Sequence, residues 1–218
     1  MEIKVVQKVM AENDKIAGEV RALLAARGIY AFNLIGSPGA GKTALLERTL
    51  AAAADLHPAV IEGDIATTAD AERLARLGVP VVQINTGPFG GECHLGANFI
   101  RAALDELPLG GVRTLLIENV GNLVCPAEFD VGENEKVAVL SVTEGEDKPL
   151  KYPLLFREAR AVVITKTDLL AALAFDLAKL RQNLAAVNAG LAVFEVSART
   201  GAGMDDWVAY VRRNAGCA

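Results

Sequence analysis

The sequence predicts a three-layer α/β fold, a mostly parallel sheet with helices on both faces. Three observations carry that expectation. Apolar runs of strand length alternate with segments whose apolar residues recur at helical spacing. The run Tyr30-Ala31-Phe32-Asn33-Leu34-Ile35 leads directly into Gly36-Ser37-Pro38-Gly39-Ala40-Gly41-Lys42-Thr43, which fits G-x-x-x-x-G-K-[ST] at every fixed position. Ala44 to Leu50 then places Leu45, Leu46 and Thr49 on one helical face, completing the strand, glycine loop and helix of a P-loop NTPase.

The loop carries chemistry as well as topology. Gly36, Gly39 and Gly41 admit backbone angles closed to other residues, so successive N–H groups can turn inward as an anion nest. The nest lies on a helix N-terminus, where unpaired N–H groups and the helix dipole favour negative charge. In that frame Lys42 reaches the β- and γ-phosphates, the Thr43 hydroxyl ligates Mg²⁺, and residues from Gly36 to Ala44 cradle a nucleoside triphosphate. The alternative is a glycine-rich turn with a chance Gly-Lys-Thr, which the flanking strand and helix disfavour.

Length and composition set the bounds. A chain of 218 residues fits one domain with a full core, residues 1–28 forming a helical extension before it. Apolar residues are 52% of the chain, so disorder is not the default. A net charge of −5 argues against a general nucleic-acid binder, which needs a basic surface. No apolar run reaches the roughly 18 residues that suggest a membrane span, and Met1-Glu2-Ile3-Lys4-Val5-Val6 lacks a secretory hydrophobic region. The expected location is the cytoplasm, where cysteines read as thiols or metal ligands before disulfides.

Each element has its own signal. Val9, Ile16, Val20, Leu23 and Leu24 recur at helical spacing within residues 1–27, and Gly28 ends that helix. Strands are expected at 30–35, 59–64, 79–84, 114–118, 137–142, 161–164 and 192–196. Between them, helices are expected from Thr67 to Leu77, capped by Thr67 or Thr68, from Leu95 to Leu107, near 154–158, within 169–188, and near 204–214. Residues 144–152 form a charged connection. In this architecture ligands bind at the carboxyl ends of the strands, where the polar motifs of this sequence fall.

A triphosphate site needs a carboxylate near Mg²⁺ and a group that orients the attacking water. Asp64, Asp70 and Glu118 follow strands and are the candidates, alongside Lys42 as the catalytic cation. Asp64 and Glu118 each end an apolar run and suit Mg²⁺, whereas Asp70 could equally favour the first turn of its helix. Glu118 opens Glu118-Asn119-Val120-Gly121, where Gly121 can present its N–H to the γ-phosphate. Thr165-Lys166-Thr167-Asp168 and Ser197-Ala198-Arg199 each follow a later strand. The Asp168 carboxylate can accept from guanine N1–H and its amine, the Lys166 stem can cover the base, and the Ser197–Arg199 turn can offer an N–H to guanine O6. Either tetrapeptide alone is weak, but together, in this order after a phosphate loop, they make guanine the favoured base, with a helix cap as the alternative for Asp168.

Cys93 and His94 are adjacent in the loop after the third strand, and Cys125 lies in the loop after the fourth. Thiolate and imidazole suit Zn²⁺ or Ni²⁺, and three ligands leave a tetrahedral shell to be completed. Spacing alone leaves small buried cysteines as the alternative. Cys217 lies in the C-terminal tail and is expected to have no role.

Together these residues resemble the HypB GTPases, which help insert nickel into nickel–iron hydrogenases. The likeness covers nearly the whole chain. It rests on the loop from Gly36 to Thr43, Glu62-Gly63-Asp64, Cys93-His94-Leu95, the run Glu118 to Pro126, the run Val142 to Pro153, and the run Val196 to Gly201. The resemblance implies a SIMIBI-type GTPase that dimerises across its nucleotide face. It further implies a nickel or zinc site at the dimer interface, built from Cys93, His94 and Cys125 of each subunit. A HypA-type nickel metallochaperone and the precursor of a hydrogenase large subunit are the implied partners.

The sequence also departs from that family. Some relatives carry an N-terminal cysteine motif or a histidine-rich stretch, but this chain has neither, and its histidines are only His57 and His94. A nickel storage role is therefore not expected. Thr165 stands where Asn is usual, predicting weaker guanine binding without loss of preference. Gly96 follows Cys93-His94-Leu95 where Asp is usual, removing a carboxylate near the metal. Pro88-Phe89-Gly90-Gly91 makes the preceding loop look longer and more flexible than usual.

Competing functions are the nickel GTPase of urease maturation, a small-molecule P-loop kinase, and a metal-binding module with a merely structural nucleotide. The urease reading expects Cys-Pro-His, but here Cys125-Pro126 precedes Ala127. The kinase reading expects an arginine-bearing lid, which the sequence does not show.

Overall fold

A computed structural model describes residues 4–64, 68–87 and 93–216. The loop residues Pro88–Gly91, with Thr67 and Cys217, lie outside the described residues. The strands are β1 (Tyr30–Gly36), β2 (Pro58–Asp64), β3 (Val81–Asn85), β4 (Thr114–Glu118), β5 (Glu135–Ser141), β6 (Ala161–Thr165) and β7 (Ala192–Glu195). They form one parallel sheet in the order β3-β2-β4-β1-β5-β6-β7. The helices are α1 (Lys4–Ala26), α2 (Lys42–Ala52), α3 (Ala69–Ala75), α4 (Ala97–Glu106), α5 (Cys125–Glu128), α6 (Lys148–Lys151), α7 (Pro153–Glu158), α8 (Leu177–Val187) and α9 (Met204–Ala215).

Strands buried on both faces explain the continuous apolar runs. Phe32 and Leu34 of β1 join Leu116 of β4 and Val137 of β5 in one core, covered by Leu45, Leu46 and Leu50 of α2 and Trp207 of α9. Ala31 and Ile117 point to the opposite face, where Ile100 of α4 and Val20 and Leu24 of α1 pack. Leu140, Val162 and Ile164 extend that opposite face beneath Phe156 of α7 and Leu180 of α8. Trp207 is wholly buried and its indole N–H donates to Thr49 Oγ1 at 2.8 Å, so its one polar atom is satisfied.

The structure shifts several boundaries for identifiable reasons. The helix expected within 169–188 is broken into a 3₁₀ turn (Thr167–Ala172) and α8. Asp176 causes the break, because its side chain caps the Lys179 N–H at 2.9 Å while its own N–H donates to Glu146. β3 begins at Val81, after Pro80, whose carbonyl still accepts from Val60 at 2.9 Å. Thr68 occupies the cap position of α3, but its hydroxyl donates to the Glu72 side chain rather than accepting from a backbone N–H. The charged connection 144–152 contains α6, and the loop after β4 contains α5. No helix among the described residues is long and apolar enough to cross a membrane.

Candidate nucleotide and metal sites

The carboxyl end of central β1 runs straight into the phosphate loop. Gly39 and Gly41 adopt positive φ (73° and 93°), which non-glycine residues resist, and α2 begins at once with Lys42. Gly36 does not need unusual angles; a Cβ there would lie 2.4 Å from the Val139 carbonyl of β5. The Lys42 ammonium folds back over the loop, 3.3 Å from the Gly36 carbonyl. Burial lowers its pKa, opposed by the nearby charges of Glu118, Glu144, Asp70 and Glu62.

A cavity of about 440 Å³ opens beside the loop, lined by Lys42, Thr43, Glu62, Asp64, Asp70 and Glu118 among others. Thr43 Oγ1 lies 2.9 Å from Glu118 Oε1 and 3.0 Å from Asp70 Oδ2. One hydroxyl hydrogen cannot serve both carboxylates, so the second contact requires a protonated carboxyl or a cation. Burial raises the Glu118 pKa to about 7, the Lys42 charge opposing it. The second Glu118 oxygen is buried without a hydrogen-bond partner. Oxygen donors converging on an unsatisfied carboxylate fit a hard divalent cation such as Mg²⁺. Asp70 touches the Thr43 hydroxyl and also pairs with Arg73 at 2.9 Å, while Asp64 lines the same cavity.

Sequence reasoning passed over Glu62 as a site residue. It stands in register with Glu118 on the adjacent strand, is 3% exposed, and leaves Oε2 without a hydrogen-bond partner. Burial raises its pKa to about 8, reinforced by the Glu118 charge. A carboxylate within the apolar run that leads to Asp64 was the available signal.

The two segments expected to read the base come together after β6 and β7, and the β6 segment also reaches the phosphate loop. Asp168 accepts from Ser197 Oγ at 2.5 Å and Arg199 Nε at 2.8 Å, and these bonds, Ser197 first, hold its pKa below the usual range. Lys166 adopts a left-handed conformation (φ 59°) and its ammonium donates to Gly39 O at 2.6 Å. Thr165 Oγ1 donates to Ala40 O at 2.5 Å. The residue at the variant position thus ties the base segment to the phosphate loop with a hydroxyl. Arg48 of α2 holds the carbonyls of Ala198 and Arg199 from below. Gly121 lies against Pro38 of the loop, where a Cβ would come within 2.9 Å.

The metal candidates also come together. One ligand atom from each of Cys93, His94 and Cys125 lies within 4.8 Å of the others. The two sulfurs are 2.9 Å apart as free thiols. The Cys93 contact, then burial, raise the Cys125 pKa. The His94 ring stacks on Phe129 with centroids 4.0 Å apart, fixing its plane. Cys93 is brought to Cys125 by Asn122, whose amide donates to the Cys93 carbonyl at 3.4 Å.

The chain matches known proteins over most of its length. The profile of the CobW/HypB/UreG nucleotide-binding domain matches residues 30–195. The hydrogenase maturation factor HypB of Azotobacter vinelandii is 49% identical over 218 residues, covering 98% of this chain and 70% of that protein. The chain belongs to the HypB family.

HypB of Escherichia coli K12 is 50% identical over 201 residues, covering 92% of this chain and 68% of that protein. The structure of Helicobacter pylori HypB in complex with nickel superposes with a TM-score of 0.88 at 36% identity, covering 94% of this chain and 95% of that one. HypB from Archaeoglobus fulgidus gives 0.87 at 38% identity, covering 94% and 99%. Members of this HypB branch are GTPases, and so is this chain. The urease-only alternative is not favoured, because these relatives are hydrogenase maturation factors.

Proposed function

We propose that this chain is a GTP-driven switch that assists nickel insertion during hydrogenase maturation. The observation that carries this reading is the Cys93–His94–Cys125 cluster, which joins the loop after β3 to the segment after β4, the strand whose last residue, Glu118, lines the nucleotide cavity. Residues 1–218 act as one GTPase domain, with 1–28 as its helical extension. The loop from Gly36 to Ala44 holds the phosphates, Lys42 neutralises their charge, and Gly121 donates its N–H to the γ-phosphate. Asp168 reads the guanine edge, supported by Ser197, Ala198, Arg199, Thr165 and Lys166.

Thr43, Glu118 and Asp64 or Asp70 hold Mg²⁺, which would neutralise charge on the β- and γ-phosphates. Of these, Asp70 is favoured by its 3.0 Å contact with Thr43. Nickel is cargo rather than a resident cofactor, with zinc as the competing metal for the same ligands. Three ligands from one chain leave the shell incomplete, so a second copy completes it in a GTP-dependent homodimer. A HypA-type metallochaperone and a hydrogenase precursor, in the cytoplasm, are the partners this reading requires.

One measurement tests the switch: nickel affinity and oligomeric state without nucleotide, with GDP, and with a non-hydrolysable GTP analogue. The reading expects tighter nickel binding and a dimer with the analogue. Equal affinity and one oligomeric state in all three conditions would overturn it.

A further inference from the structure

Backbone N–H groups on either side of Gly96, just beyond His94, are held by two buried asparagines from different parts of the fold. Asn119, directly after Glu118, accepts the Leu95 N–H at 3.1 Å and the Val120 N–H at 3.0 Å through one oxygen. Its amide donates to Asn33 Oδ1 at 3.1 Å, and Asn33 in turn donates to Glu133. Two N–H donors on one side fix which Asn119 atom is oxygen. Asn13 of α1 accepts the Ala97 N–H at 2.9 Å and donates to the Asp130 carbonyl at 2.8 Å. Asn119 is wholly buried and Asn13 is 8% exposed, so neither bond is readily replaced by water.

The two asparagines differ in what lies behind them. Asn119 sits between Glu118, which contacts Thr43 of the phosphate loop, and Gly121, which lies against Pro38. The Leu95 side chain also fills the space beside Gly63, where a Cβ would come within 2.7 Å, between Glu62 and Asp64. Asn13 reaches no phosphate-loop residue; its helix is tied to the segment before β5 through Asp130, which pairs with Arg21.

We propose that Asn119 is the positioning residue through which nucleotide state reaches the metal ligands, while Asn13 holds the same segment regardless of nucleotide. A shift of the Glu118–Gly121 backbone on γ-phosphate contact moves the Asn119 oxygen, and the Leu95 N–H and the adjacent His94 follow. Coupling of this kind needs a continuous set of contacts with two arrangements that both sites bias. The proposal rests on the switch reading above.

The test uses the full chain. Nickel is titrated in the presence of Mg²⁺ with GDP and with a non-hydrolysable GTP analogue, following thiolate-to-nickel absorption. For the unaltered chain, the ratio of the two affinities is expected to be about tenfold. Asn119→Ala should bring it to within about twofold while nucleotide affinity changes little. Asn13→Ala should weaken nickel binding alike in both states and keep the ratio. Retention of the full ratio in Asn119→Ala, or its loss in Asn13→Ala, would overturn the assignment. No ratio in the unaltered chain would overturn the switch reading and this role with it. Amide hydrogen exchange in the unaltered chain gives a check independent of any variant's folding. Exchange at Leu95 should change by more than about fivefold between the nucleotides while Ala97 stays constant. Equal behaviour of the two amides would also overturn the proposal.

Discussion

Glu62 and Glu118 face the same side of the sheet, paired in register on β2 and β4, and both carry pKa values raised by burial, to about 8 and about 7. Two neighbouring carboxylates in one pocket resist ionising together. The folded state therefore keeps protons that the unfolded chain releases near its ordinary value of 4.5.

The sign of the pH effect follows directly. Where the native state binds more protons than the unfolded state, stability falls as pH rises. The nucleotide-free protein should lose stability across the window from about 4.5 to about 8. Glu62→Gln should flatten that slope, because the amide has no proton to lose. Thermal melts at several pH values in that window check both statements. A melting temperature that rises with pH there, or an unchanged slope in the variant, contradicts the assignment.

Asp168 gives a prediction about base choice. Its carboxylate accepts from Ser197 and Arg199 and can also accept from a guanine edge. Asp168→Asn should weaken GTP binding, by removing charge-assisted hydrogen bonds. An amide can turn its donor toward the xanthine oxygen, so discrimination against xanthosine triphosphate should also fall. Competition binding between the two triphosphates decides; an unchanged preference removes Asp168 from base reading.

Much of this arrangement was legible in the sequence, for physical reasons that differ by residue. The phosphate loop announces itself because it is local: strand, glycines and helix are consecutive, and eight residues carry the geometry. The seven strands were legible because burial on both faces makes their apolar runs continuous. Strand order was not, since crossovers between parallel strands leave no local mark. Glu62 was overlooked because a single carboxylate within a strand reads as a defect until its register with Glu118 is known. Asn13 and Asn119 were passed over for a similar reason. Their bonds to Ala97 and Leu95 span 84 and 24 residues, and an asparagine's partner at such range is invisible in one sequence. The break before α8 was readable in principle, because Asp176 is a good capping residue, yet the helical periodicity around it concealed the stop.

The α9 core offers a stability test apart from both sites. Trp207 fills the face of the sheet beneath α2, edge-on to Phe32 and Phe194, with its N–H bonded to Thr49. Trp207→Phe removes that hydrogen bond and part of the ring volume, and should destabilise by about 1–3 kcal/mol. For a chain of this size each kcal/mol lowers the melting temperature by roughly 2–4 °C. Denaturant unfolding monitored by circular dichroism checks it, and a change below the scatter of the measurement would contradict the packing role.

The metal cluster makes the last prediction. Cys93 and Cys125 are free thiols 2.9 Å apart, and that contact together with burial raises the Cys125 pKa. Nickel or zinc binds thiolate, so each thiol ligand must surrender a proton on binding. Below the thiol pKa, affinity should therefore rise with pH by about tenfold per unit for each thiol proton released. Two ligating thiols make the slope of log affinity against pH approach about two. Cys125→Ala removes one releasable proton and should lower the slope by about one, besides weakening binding. Cys93→Ala should do the same, while GTP binding measured without nickel stays near that of the unaltered chain. Nickel titrations at several pH values on either side of neutrality read the slope directly. A slope unchanged in both cysteine variants would mean that neither sulfur is a ligand, and the candidate metal centre would then have to be abandoned.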